Sequence, residues 1–212
     1  MKTDQLITML TADVAAIPSR TWLKNLSLAA GTGLLMATAL MVTFLGVRPD
    51  LHQAMQLPMF WVKLAFPAVL AIAAFVGVTR LAQPGVALGR VPLGLLLPVV
   101  AILGLAATQL LGTAPDARAA VVLGNTWVNC LLFVSLLSLP AFVAIQVVLR
   151  DLAPTRTVAT GGLAGLLAGA LAASAYALHC PEMAAPFIGT WYLLGMLLPA
   201  AAGALLARQL RW

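Results

Sequence analysis

Charge is scarce in this chain. Only 8% of its 212 residues are Asp, Glu, Lys or Arg and 62% are hydrophobic, whereas soluble domains carry roughly 25% charged residues. A sizeable soluble domain is therefore excluded, and the composition is that of an integral membrane protein. Acids are the rarest charges, with six Asp and Glu in total. None sits in the middle of an apolar stretch, and no internal inverted repeat is evident. Both absences disfavour an ion- or proton-coupled transporter. Asp50, Asp116 and Glu182 fall singly in different loops, so no paired carboxylate exists. A Ser-His-Asp set and a phosphate-cradling glycine loop are also missing. Cysteine is limited to Cys130 and Cys180. They do not form the C-x-x-C pair usual in a thiol oxidoreductase, which leaves a membrane thiol oxidoreductase as the alternative reading. The net charge is +6, but the basic residues are scattered, so direct nucleic-acid binding is not expected.

What the chain does have is apolar length. Six segments, near 26–47, 59–79, 91–112, 127–149, 157–178 and 185–206, each approach the roughly 20 residues that a bilayer core requires. No alternating pattern of a membrane barrel is present, so the expected fold is all-α, a six-transmembrane-helix bundle. The first span is too long for a signal h-region and is expected to be retained. With six spans the termini share a side. That side holds Lys2, Arg20, Lys24, Arg80, Arg90, Arg150, Arg156, Arg208 and Arg211, against Arg48 and Arg118 on the other. The bias places both termini in the cytoplasm. Trp22, Trp61, Trp127, Trp191 and Trp212 fall near span ends, as interface anchors do. Lys63, near the start of the second span, is expected to snorkel to the outer interface.

Residues 1–25 form a separate cytoplasmic segment ahead of the bundle of residues 26–212. Within it Leu6, Ile7, Leu10, Val14 and Ile17 follow helical spacing. Thr3 or Asp4 supplies a cap, and Pro18 a stop. So short a helix needs a surface to bury its apolar face. Interfacial helices carry Lys or Arg on the polar face, whereas this one offers Asp4 and Asp13. A protein groove is therefore preferred to membrane lipid, with Asp4, Leu6, Leu10, Asp13 and Val14 as the docking residues.

Gly161, Gly165 and Gly169 form overlapping small-xxx-small motifs in the fifth span. They permit close approach of a bundle helix, or of a second copy in a homodimer. Cys130 enters the fourth span from the outer side, and Cys180 follows the fifth span on that side. The loop between these spans is short, so the two helices should be antiparallel neighbours. Contact of the thiols requires Cα atoms within about 7 Å. Three readings stay open: a structural disulfide, a soft-metal site drawing on Cys130, Cys180, His179 and His52, and a thiol switch. No permanent cofactor is expected, only a transient soft-metal ligand.

Three stretches carry a resemblance: Met1-Lys2-Thr3-Asp4-Gln5-Leu6-Ile7 with Leu10 and Asp13; His179-Cys180-Pro181-Glu182-Met183-Ala184-Ala185-Pro186-Phe187 running on to Trp191-Tyr192; and the terminal Arg208-Gln209-Leu210-Arg211-Trp212. The whole chain resembles the NrsF-type family, negative regulators of sigma F, which are six-span inner-membrane anti-sigma factors of proteobacteria. The resemblance implies that the chain sequesters an extracytoplasmic-function (ECF) sigma factor. It also implies that two periplasmic cysteines, here Cys130 and Cys180, release that factor under heavy-metal or oxidative stress.

Overall fold

A computed structural model of the chain describes residues 19–209 other than 84, 151, 153 and 155. The amphipathic segment 3–17, with Asp4, Leu6, Leu10, Asp13 and Val14, lies outside the described residues, as does Trp212. The described residues are helical, with no strand among them, and build the expected all-α bundle.

Six helical stretches are long and apolar enough to cross a membrane. The first is α1 (Ser19–Leu40), which continues as a π-helical stretch over Met41–Leu45. A short α2 (Leu51–Ala54) leads into α3 (Pro58–Leu81). Then come α4 (Val91–Leu111), the short α5 (Arg118–Leu123), α6 (Trp127–Arg150) and α7 (Thr157–Tyr176). The last span is α8 (Ala185–Phe187), a π-helical stretch at Ile188–Tyr192, and α9 (Leu193–Gln209). The first helix starts at Ser19, earlier than the expected 26, and Trp22 is packed inside the bundle.

α7 is the central helix and packs on α9, α3, α6 and α1. Its Ala- and Gly-rich sequence has few wide side chains to hold neighbours away, and most of its residues are buried or partly buried. The α7–α9 seam shows this most plainly. A Cβ on Gly161 would fall on the Gly203 carbonyl, and one on Gly165 on the Pro199 carbonyl. The glycine motif therefore serves helix packing within the bundle. α4 sits at the edge, with only Val91, Ile102 and Ala106 buried. Leu35, Ile72, Leu97 and Val100 face outward, as lipid-facing side chains of a multi-pass membrane protein do. Connections alternate between ends, so 46–57, 112–126 and 177–184 share one end and 82–90 and 151–156 the other.

Candidate functional site

The end that carries the odd connections is closed by a strap. α7 stops at Tyr176, three residues turn, and residues 180–184 run without regular secondary structure, with Ala184 extended, until α8 begins at Ala185. Pro181 and Pro186 bracket this tract. The Cys180 N–H still bonds the Tyr176 carbonyl and the Ala184 carbonyl accepts the Ile188 N–H, but the polar groups between them lie outside any helix and must be satisfied from elsewhere. Four other segments supply them. Lys63 Nζ donates to the Cys180 carbonyl at 2.6 Å and to the Glu182 carbonyl at 2.8 Å. Arg48 adds an Nη1 contact to the Cys180 carbonyl at 3.4 Å, and its backbone N–H donates to the Leu178 carbonyl. The Gln109 side-chain oxygen accepts the Ala185 N–H at 2.9 Å. The Glu182 carboxylate accepts the Asn125 N–H at 2.8 Å. That last bond depends on Gly124, which has φ 56° and sits where a Cβ would strike the Glu182 carboxyl; only glycine takes that backbone without strain. His179 Nδ1 lies 2.9 Å from the Gly46 carbonyl, which can only accept, so the ring proton is on Nδ1.

Lys63 overturns the expectation that it snorkels to the outer interface. Its side chain is 0% exposed. It sits six residues into α3, about 8 Å below the start of the helix. The strap folds over it and brings two carbonyls within hydrogen-bond reach of Nζ. The ring of Tyr192 lies 5.5 Å from Nζ and offers its π face. Pro67, one turn further on in α3, has no N–H to give to the Lys63 carbonyl, so the helix ladder is already broken at this residue. Hydrogen bonds to a charged group contribute about 1.5–3 kcal/mol each, while an ammonium stripped of acceptors in such a place costs several kcal/mol. Lysine and strap therefore stabilise each other.

Cys130 and Cys180 are both free thiols and both 0% exposed. They belong to one buried cluster with Tyr176, Phe187 and Tyr192, within electrostatic reach of each other and of Lys63. Cys130 is held by the first turn of α6, where its N–H bonds the Thr126 carbonyl, and Cys180 is held by the strap. The hydroxyls of Tyr192 and Thr126 are buried with no hydrogen-bond partner among the described residues.

The four residues considered as metal ligands do not gather. His52 is exposed on α2, and His179 has one ring nitrogen committed to Gly46. Among the described residues no group of three or more His, Cys, Asp or Glu is placed to hold a metal ion. Two thiols alone fall short of the four ligands of tetrahedral zinc.

Arg48 and Asp50 make a forked ion pair beside the strap, with Nε–Oδ1 at 2.7 Å and Nη2–Oδ2 at 2.6 Å. The Arg48 side chain is 7% exposed and that of Asp50 is 50% exposed. The bond from Arg48 holds the Asp50 carboxyl below the usual carboxylate range, and the same bond raises Arg48.

Sequence reasoning located both thiols but not the residues that seat them. Lys63 carried a readable signal, being an ionisable group inside a span. Gln109, Asn125 and Arg48 carried none, because each strap contact uses a backbone atom on one side or the other. The π-helical turn that puts Tyr192 beneath the strap was equally silent, although such turns cluster at functional sites.

The comparisons with known proteins concern the full length of this architecture. The family described as "Negative regulator of sigma F" matches residues 10–212. The "Probable anti-sigma-F factor NrsF" of Azospira oryzae is 48% identical over 213 residues, covering 100% of both chains. The "Anti-sigma-F factor NrsF" of Caulobacter vibrioides is 37% identical over 217 residues, again with 100% of both covered. These relatives are named as regulators, not as enzymes. No solved structure matches. With six apolar spans, the HCPE tract and both cysteines set in one end of the bundle, the chain belongs to the family of negative regulators of sigma F.

Proposed function

We propose that this protein holds an ECF sigma factor inactive at the bacterial inner membrane and releases it when a soft metal ion or an oxidant joins Cys130 to Cys180. The observation that carries the reading is the pair itself: two buried thiols on different elements, one in the first turn of α6 and one in the strap. Ligation or disulfide formation would tie these two elements to each other and so act on the carbonyl contacts that hold the strap. The basic bias of the opposite end supports cytoplasmic termini, with the strap in the periplasm. The segment 3–17 then stands on the sigma side, its Leu6, Leu10 and Val14 offered to the partner and Asp4 and Asp13 beside them. Moving sigma from 1% to 99% free requires about 5.5 kcal/mol of differential affinity between the two bundle states. A thiol oxidoreductase needs thiols that meet a substrate, and complete burial of both favours the regulator.

The test is a sigma-dependent reporter in cells expressing the intact chain. Cadmium or diamide is expected to induce the reporter with the wild type. Cys130→Ser/Cys180→Ser should repress normally yet stay silent under both agents. Continued induction in the double variant overturns the sensing role. Deleting residues 2–17 should derepress the reporter without stress; persistent repression moves docking elsewhere.

A further inference from the structure

The thiols are inaccessible, and the group that keeps them so carries no cysteine. Cys130 and Cys180 are 0% exposed, and Lys63, which bonds the strap that carries Cys180, is also 0% exposed. Its two bonds go to backbone carbonyls at 180 and 182, either side of Pro181. No carboxylate shares this role, since Glu182 turns its side chain to the Asn125 N–H. The remaining strap contacts come from segments near its two ends: Arg48 and Gly46 at residues 178–180, and Gln109 at 185. Among the described residues Lys63 is therefore the cation that reaches the Glu182 carbonyl in the middle of the strap, and it shares the Cys180 carbonyl with Arg48.

We infer that Lys63 is a latch: its ammonium, clasped by the Cys180 and Glu182 carbonyls, holds the strap shut over the thiol pair and sets how readily Cys180 can be reached and moved. The reason is mutual dependence. A closed strap gives the buried ammonium its acceptors, and the ammonium gives the strap backbone its donors. Opening leaves both sides unpaired at once, so the closed state dominates until something at Cys180 offsets the loss. The ring of Tyr192 lies 5.5 Å from Nζ and adds a cation–π contact to the closed state. The latch also brings α3 into the device. A displacement of Cys180 then acts on a helix that carries neither thiol and that ends beside the 82–90 connection at the far end. This inference concerns regulation of the proposed sensing site and rests on that reading for its purpose, though not for its geometry.

Thiol accessibility tests it without reference to sigma. Membrane vesicles containing the full chain are treated with N-ethylmaleimide, and unreacted thiols are counted by a gel shift with a large maleimide. The wild type is expected to react slowly at both cysteines. Lys63→Met removes both donors and should raise the rate at Cys180 at least tenfold. Lys63→Arg keeps a cation with several donors and should stay within threefold of the wild type. Should Lys63→Met not accumulate in the membrane, Lys63→Gln carries the same test, with a rise of threefold or more as the supporting result. A rise of less than tenfold in Lys63→Met, or of less than threefold in Lys63→Gln where that variant carries the test, overturns the latch. So does an equal acceleration in Gly31→Ala, where an added Cβ meets nothing within 4 Å. Loss of the sensing role in the reporter experiment would leave these rates unchanged, so the two ideas fail separately.

Discussion

The α7–α9 seam and the strap are held by opposite means. In the seam, Gly161 and Gly165 let the backbone of α7 lie directly on that of Gly203 and Pro199. Nothing there can be exchanged: the fit is steric, and packing is nearly the whole of the interaction. In the strap, the same burial is reached with hydrogen bonds that Lys63, Arg48 and Asn125 donate to residues 178–182 and one that Gln109 accepts from the Ala185 N–H. Each of these can break and re-form. The seam is the part of the bundle suited to be invariant, and the strap is the part suited to have two states.

The sharpest way to test this contrast is Gly165→Ala. Its Cβ would meet the backbone of Pro199, which cannot rotate away as a side chain can. Overpacking of this kind costs about 1–3 kcal/mol or more. We expect a large loss of resistance to SDS unfolding in mixed micelles, and Gly31→Ala should show none. A neutral Gly165→Ala would mean that the seam yields as easily as the strap.

A smaller effect is expected on the polar side. Glu182→Gln keeps an acceptor for the Asn125 N–H but removes its charge, which leaves a neutral hydrogen bond worth about 1 kcal/mol. Maleimide reactivity of Cys180 should rise severalfold while resistance to SDS changes little. If bundle stability fell and the thiol stayed protected, the strap would be structural cement like the seam.

Acidification should produce the smallest change. The Asp50 carboxyl lies below its ordinary value because Arg48 donates to it. The pair's contribution is therefore complete above the unfolded carboxyl value, near 4, and is lost as pH falls through the lowered folded value. Asp50→Asn should remove this acid sensitivity. Maleimide reactivity of Cys180 relative to a free thiol at the same pH, which cancels the common loss of thiolate, is expected to change only in the acid range for the wild type as pH falls from 7, and to be flat there for Asp50→Asn. A transition in the variant that matches the wild type would assign it to another carboxyl.

Much of the fold could be read directly. The spans found at Pro58–Leu81, Val91–Leu111 and Thr157–Tyr176 fall within two residues of the expected starts and ends. A lipid-facing helix must satisfy its own backbone, so its presence is a local property of the sequence. The glycine spacing in α7 likewise announced a close helix contact, but not that α9 would be the partner. At the site, Cys130 and Cys180 were legible because thiols are rare in this chain. Lys63 was visible as a charge and misplaced as an interface residue, because its partners are the carbonyls of Cys180 and Glu182. Every residue has a carbonyl, so nothing in the sequence marks these two.

By itself, then, the sequence determined six apolar helices, their alternation between two ends and the presence of two thiols at one of them. These follow from hydrophobic length and from the parity of the spans. Only the tertiary structure decided that residues 180–184 fold inward as a strap, that Lys63 is buried beneath it and that both thiols are sealed from solvent. Those outcomes depend on where the backbone of distant segments comes to rest, and hydrogen bonds to backbone leave no residue pattern to read.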